Sequence, residues 1–224
     1  MKLKNYEFKS DPYQHQLDTL KSSAHRNLFA LFLEMGLGKS KILLDNAGML
    51  FEEGKISGLL IVSPKGNLNN WDSNEISRHL PERIKRNVLV WQPNHTQRWT
   101  KAFKDMVQND STGVLNIFLV NVEAFATVKA CTHVEEFLVT HDAMMAIDES
   151  TTIKNPKAKR TKHLIKLGPL ADYRRILTGF PITKAPLDLY SQCYFLSPNL
   201  LGFSSFYAFQ ARYAITQSRQ MGRH

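Results

Sequence analysis

Only two of the 224 residues are cysteine, Cys131 and Cys193, and they stand far apart. Neither belongs to a C-x-x-C pair, so the chain lacks both the ligand spacing of a zinc site and the density of a disulfide scaffold. Sparse cysteine fits a reducing compartment, where thiols need not pair. Long apolar runs are missing as well. None approaches the ~20 residues of a membrane span, and the opening MKLKNYEFKSDPYQ has no apolar core like that of a secretory signal. These absences predict a soluble, intracellular protein with no membrane partner. Acids are in short supply: 20 Asp+Glu face 29 Lys+Arg, a net charge of +9. A surplus of that sign suits a polyanion such as nucleic acid, although a merely solvated basic surface gives the same total. No internal repeat and no low-complexity segment is present, which excludes solenoids and linker-like chains.

The composition, 43% hydrophobic and 22% charged, is that of a globular domain. Its length allows one buried domain with a small extension. Short apolar runs alternate with amphipathic stretches. Strands are expected at Asn27–Leu33, Gly58–Ser63, Asn87–Trp91, Val114–Val120, Ala143–Ile147 and Arg175–Thr178. Helices are expected at Lys39–Phe51, through Trp71 to His79, at Gln97–Gln108, one or two over Glu123–Thr140, at Pro156–Leu167 and at Leu187–Leu196. Strands that are apolar throughout, each followed by a helix, imply an α/β fold with a mainly parallel sheet covered on both faces. After Pro198 the pattern changes to the aromatic-rich LLGFSSFYAFQARY.

EMGLGKS at Glu34–Ser40 falls between the first strand and the first long helix. Gly36 and Gly38 allow a tight turn that brings backbone N–H groups onto phosphate oxygens. The helix N-terminus adds positive potential at the same spot. Lys39 supplies a point charge for the terminal phosphates, and the Ser40 hydroxyl is a magnesium ligand candidate. The longer pattern G-x-x-x-x-G-K-[ST] asks for glycine where this chain has Leu33. A glycine-containing helix start without a ligand is the plainer reading of the tripeptide alone; the strand-to-helix placement favours the phosphate reading.

Asp148 and Glu149 directly follow the apolar run AMMAI. Ligands of open parallel sheets bind beyond the carboxyl ends of the strands, so both acids belong on the edge that carries the loop. Asp148 is the candidate magnesium holder, and Glu149 the candidate base for an attacking water. An acidic pair at that position also serves as a plain helix cap.

In order, the chain reads PYQ at 12–14, EMGLGKS at 34–40, LLIVSPKGNLNNW at 59–71, DESTTIKN at 148–155 and RRILTGFPI at 174–182. This series resembles motifs Q, I, Ia, II and III of the Swi/Snf-type ATPases of helicase superfamily two, and PLDLYSQCYFLSP resembles their continuation. The resemblance covers nearly the whole chain. It implies a RecA-like ATP-binding lobe over 1–198, with 199–224 an extension toward a second lobe that is missing from this sequence. It implies ATP and Mg2+ as ligands: Gln14 on the adenine, Met35, Gly36, Leu37, Gly38, Lys39 and Ser40 around the triphosphate, Ser40 and Asp148 on magnesium, and Lys39, Asp148 and Glu149 as the catalytic set. Ser150, Thr151, Thr178 and Gly179 would couple nucleotide state to the nucleic-acid surface. Ser63, Pro64 and Lys65 would lie near the nucleic-acid backbone.

Two departures bear on that coupling. Where the family has D-E-A-H or D-E-x-H, this chain has Asp148-Glu149-Ser150-Thr151, so the histidine is lost. Where the family has L-T-G-T-P, Phe180 replaces the second threonine. Such changes suggest a phage or bacterial source. The setting is then the cytoplasm of a bacterial or infected cell, or a nucleus if the source is eukaryotic.

Lys154–Lys166 is basic and free of acids, which makes Lys157, Lys159 and Arg160 candidates for phosphate contact, with a solvated helix face as the alternative. Trp71, Trp91 and Trp99 are expected in the core rather than on bases. The function expected is the ATP-binding lobe of a translocase on double-stranded DNA, with its second lobe in the same or another chain. An RNA helicase lobe, and a nucleotide-dependent binding module without turnover of its own, are the alternatives.

Overall fold

The computed structural model describes residues 6–108 and 113–214. The apolar runs become β1 (Leu28–Phe32), β2 (Gly58–Ser63), β3 (Arg86–Val90), β4 (Leu115–Asn121), β5 (Ala143–Asp148) and β6 (Tyr173–Thr178). They form one sheet in the order β1-β6-β5-β2-β4-β3, and every pairing is parallel. The helices are α1 (Gln14–Ser23), α2 (Lys39–Glu52), α3 (Lys65–Asn70), α4 (Ile76–His79), α5 (Gln97–Gln108), α6 (Val128–Thr140), α7 (Lys159–Leu167), α8 (Leu189–Leu196) and α9 (Phe206–Tyr213). Among the described residues, no helix is long and apolar enough to cross a membrane.

Strand alternation divides the core. Leu59 and Ile61 of β2 meet Leu43, Leu50 and Trp71 on one face, while Leu60 and Val62 meet Phe118, Phe125 and Phe137 on the other. Both sets are fully buried, which explains why these strands read as continuous apolar runs rather than as alternations. Trp71, Trp91 and Trp99 lie in these cores, at 1%, 5% and 4% exposure.

Two of the helical stretches depart from expectation. The basic helix does not start at Pro156. The Asn155 side chain accepts from Lys157 N (2.9 Å) and its carbonyl from Ala158 N (3.2 Å), a turn that delays the helix to Lys159. The helix after β2 carries a π turn at Trp71–Glu75 between α3 and α4. The stretch from Glu123, expected to carry one or two helices, carries a 3-10 turn, Val122–Ala126, and α6. The aromatic extension folds back onto the lobe. Phe209 is buried, and the rings of Phe206 and Phe209 lie 5.4 and 5.5 Å from that of Tyr190 on α8. Its last ten positions lie outside the described residues.

The amphipathic surface of α2 hides an ion pair. Lys41 donates to Asp45 Oδ2 (2.9 Å) and to the Ser10 carbonyl (2.8 Å), and Asp45 is fully buried. Burial pushes the Asp45 carboxyl up to about 6, against the pull of the Lys41 hydrogen bond and charge. A folded-state value above the unfolded 3.8 means that the associated stability is fully present below pH 3.8 and is lost as pH rises through about 6. Asp45→Asn is therefore expected to flatten the rise in unfolding midpoint between pH 6 and 4, read by denaturant melts across that window. An unchanged slope would assign the pH dependence elsewhere.

Candidate active site

Parallel register brings the chemistry to one edge. At the carboxyl ends of the strands Phe32 pairs with Thr178, Leu177 with Asp148, and Val62 with Ile147. Ser63, Asp148, Glu149 and Thr178 thus line up beside the loop that leaves β1.

In that loop Gly36 and Gly38 have φ of 82° and 78°, a region in which side chains are strained. A Cβ on Gly38 would also overlap the Gln16 amide. Gly38 caps α2, so the first N–H groups of that 14-residue helix face the loop. Lys39 Nζ donates to the Leu33 and Glu34 carbonyls (2.9 and 3.1 Å). An ammonium has three N–H donors, so these two bonds hold it across the loop with one donor left over. Gly179 packs against the same loop: a Cβ there would lie 3.5 Å from Met35 N and 3.6 Å from the Leu33 carbonyl. Met35 and Phe180 are exposed beside it, at 76% and 63%.

The carboxylate of Asp148 is held from three sides. Ser63 Oγ and Trp71 Nε1 each donate to Oδ2 at 3.0 Å, and Glu149 N donates to Oδ1 at 3.0 Å. Ser63 is fully buried, which corrects the expectation that it lies at a nucleic-acid backbone: its hydroxyl faces Asp148 rather than solvent. Pro64, half-buried, caps α3, and Lys65 is exposed in its first turn.

Glu149 adopts φ 49°, the one non-glycine residue with positive φ among the described residues. It stands at the cap position of a 3-10 turn, Ser150–Ile153, yet its side chain makes no capping bond. Its Oε2 instead lies 3.5 Å from the Thr178 hydroxyl, which accepts from Phe180 N at 3.3 Å. Ser150 is fully buried and donates to Gln192 Oε1 at 2.6 Å. Thr151 is half-buried in the turn.

The structure does not bring Gln14 to the loop. It is exposed at the start of α1 and donates to Asp18 (2.9 Å). The buried glutamine is Gln16, whose Oε1 accepts from Tyr13 N (3.0 Å) and whose Nε2 donates to the Leu37 carbonyl (3.2 Å). His15 Nε2 lies 3.1 Å from the same carbonyl. Gln16 was findable, because Gln16, Leu20 and Ser23 share one buried helical face. Of the basic trio, Lys157 and Lys159 are exposed, whereas Arg160 Nε donates to the Thr152 carbonyl (3.0 Å).

A glycine loop at a helix start, with carboxylates at the ends of neighbouring parallel strands, defines a RecA-like P-loop lobe. The model of the SNF2-related domain matches residues 15–223, and the chain belongs to that family. The chromatin-remodeling ATPase INO80 of Debaryomyces hansenii is 30% identical over 168 residues, 75% of this chain and 12% of that protein. Helicase SWR1 of Cryptococcus neoformans is 30% identical over 194 residues, 85% of this chain and 14% of that one. ISW1, an ISWI chromatin-remodeling complex ATPase of Saccharomyces cerevisiae, is 28% identical over 84% of this chain and 16% of its own length. The chain thus spans a small part of these relatives. The fold matches the Sulfolobus solfataricus SWI2/SNF2 ATPase core, solved in complex with dsDNA, with a TM-score of 0.73. That match has 24% identity and covers 96% of this chain and 41% of the other.

Proposed function

We propose that this chain is the ATP-binding lobe of a DNA-dependent ATPase that couples hydrolysis to movement along duplex DNA. The observation that carries the reading is the meeting of Lys39, Asp148, Glu149 and Thr178 at one sheet edge. On this reading 1–198 is the lobe, 199–224 leads toward a second RecA-like lobe, and the setting is cytoplasmic or nuclear.

Met35 to Ser40 cradle the triphosphate, with backbone N–H groups and the Lys39 ammonium facing its oxygens. Gln16 and His15 hold Leu37, and so brace the cradle from α1; Gln14 remains the candidate for the adenine edge. The Ser40 hydroxyl and the Asp148 carboxylate are hard oxygen donors, which suits magnesium. The geometry of Asp148 supports that fit, because Ser63 and Trp71 occupy Oδ2 and fix the carboxylate in one orientation. When bound, magnesium would supply positive charge to neutralise what develops on the phosphates. Glu149 accepts the proton of the attacking water while Thr178 steadies its carboxylate.

Steady-state ATP turnover of the full-length protein is the test, measured without nucleic acid, with duplex DNA and with RNA. Stimulation by duplex DNA and loss of nucleotide binding in Lys39→Ala are expected, with the circular dichroism melt of the variant unchanged. Stimulation by RNA alone would support an RNA helicase, and turnover indifferent to nucleic acid would end the motor reading.

Lys65, Lys157 and Lys159 offer exposed charge for phosphates. Each phosphate contact contributes roughly 0.9 to the slope of log affinity against log salt on duplex DNA. Neutralising Lys157 and Lys159 together should lower that slope by up to about 2, while Arg160→Gln, which removes a bond to Thr152, should act on the fold of the turn. A slope unchanged in the double variant would leave this run as a solvated face.

A further inference from the structure

Motif II of this chain lacks its histidine and motif III lacks its second threonine, yet the two segments are joined by another route. Ser150 follows Glu149 directly, is fully buried and donates to Gln192 Oε1 at 2.6 Å. Gln192 is fully buried on α8, in the run LYSQCYFL. Its Nε2 donates to the carbonyls of Pro181 (2.8 Å) and Asp188 (2.7 Å). The acceptor and both amide hydrogens of Gln192 therefore have partners.

Pro181 belongs to the segment that leaves β6 just beyond Thr178, Gly179 and Phe180. That segment is itself tied down. Asp188 Oδ2 accepts from Thr183 N (2.9 Å), Thr183 Oγ1 (2.6 Å) and Lys184 N (2.9 Å), with Lys154 at 3.5 Å. Burial works against the Asp188 charge, but the Thr183 hydroxyl, the two backbone N–H groups and Lys154 outweigh it and hold the carboxyl at about 2.

Glu149 needs such an anchor. A non-glycine residue at φ 49° costs energy and persists only where its surroundings over-determine it. Glu149 N bonds back to Asp148 Oδ1 on one side, and Ser150 is fixed to α8 on the other. The Glu149 carboxylate meets Thr178, at the root of the segment that Gln192 also holds. Backbone and side chain of Glu149 are thus referenced to the same loop.

We propose that Ser150 and Gln192 are a positioning pair for Glu149, carrying the link between motif II and motif III in this chain. The proposal rests on the reading of Glu149 as the base. Neither residue touches substrate; both act through the orientation of Glu149.

The test is a double-mutant cycle in the full-length protein: Ser150→Ala, Gln192→Leu and the pair together, with Glu149→Gln in parallel. Each single change leaves a buried polar partner unmatched, so both midpoints of thermal unfolding should fall. Replacing both partners by apolar groups removes the Ser150 part of that mismatch but still leaves the Pro181 and Asp188 carbonyls without the amide donor, so the pair should regain only part of the lost midpoint. DNA-stimulated kcat should nonetheless stay down roughly 10- to 100-fold, the scale of a small misplacement of a catalytic group, with ATP affinity and KM within about threefold of wild type. A kcat that recovers along with the midpoint would reduce the pair to packing and overturn the proposal. Normal turnover in Glu149→Gln would remove the base itself, and the proposal with it. Ser150→Ala, the mildest change, decides the matter by its kcat and KM alone where Gln192→Leu fails to fold.

Discussion

Glu149→Gln, in the full-length protein, is expected to bind ATP and duplex DNA normally while its turnover falls roughly 10²- to 10⁴-fold, the usual contribution of a general base. The substitution is close to isosteric. The amide oxygen can still accept from the Thr178 hydroxyl, which now lies 3.5 Å from Oε2. The backbone bond from Glu149 N to Asp148 Oδ1 does not involve the side chain at all. Ground-state binding has no reason to change, because the proposed phosphate cradle is made by Gly36, Gly38 and Lys39, not by Glu149. What the amide cannot do is take a proton from water, and that interaction exists only on the way to the transition state. Single-turnover hydrolysis and ATP titration on the same sample separate the two. Turnover within about threefold of wild type, at equal ATP affinity, would move the base elsewhere and leave Glu149 a structural turn residue.

The sequence made the sheet legible because its strands are buried on both faces. Runs such as LLIV and AMMAI have no polar position inside them, and β2 spans the expected residues, Gly58–Ser63. Boundaries slipped where a side chain competed with the helix for backbone groups, as Asn155 does before α7. Within the site, residues defined by local backbone need were readable. Gly36 and Gly38 take conformations that ask for glycine. Residues defined by a partner far away in sequence were not. Trp71 reads as a buried aromatic, and nothing in its neighbourhood says that its indole N–H reaches Asp148, 77 positions on. Ser63 looks like a polar residue at the end of a strand, and only the alignment of β2 with β5 turns its hydroxyl toward that carboxylate. Gln192 is one polar residue in the largely apolar run LYSQCYFL, and only tertiary packing brings its partners Ser150 and Pro181 close.

Arg175→Met is expected to destabilise the lobe more than any single change at the site, by about 3–5 kcal/mol, the scale for leaving several buried carbonyl acceptors without a donor. Arg175 is 1% exposed, and burial lowers its guanidinium to about 10, which leaves it cationic at neutral pH. Its acceptors are carbonyl oxygens throughout. Nε and Nη2 both donate to Asn46 Oδ1 (3.1 and 3.0 Å), Nη2 also to the Ser23 carbonyl (3.2 Å), and Nη1 to those of Asn27 and Arg174 (3.1 and 2.9 Å). Asn46 in turn donates to the Ala24 carbonyl at 3.0 Å. One side chain on β6 thus closes the end of α1, the entry to β1 and the middle of α2. Methionine matches the stem but leaves these oxygens dry, and each buried acceptor without a donor costs about 1–3 kcal/mol. At roughly 2–4 °C per kcal/mol for a domain of this size, the melting midpoint should drop by about 10 °C or more. Arg175→Lys keeps the charge but has fewer donors and no planar fork, so it should fall between the two. ATP binding by the folded fraction, measured well below the midpoint, should be unaffected, because the Arg175 guanidinium bonds none of the loop residues from Glu34 to Ser40. A melt within about 2 °C of wild type, less than 1 kcal/mol on the same scale, would show that water or a shifted backbone takes over these carbonyls, and that Arg175 is not the tie it forms in the structure.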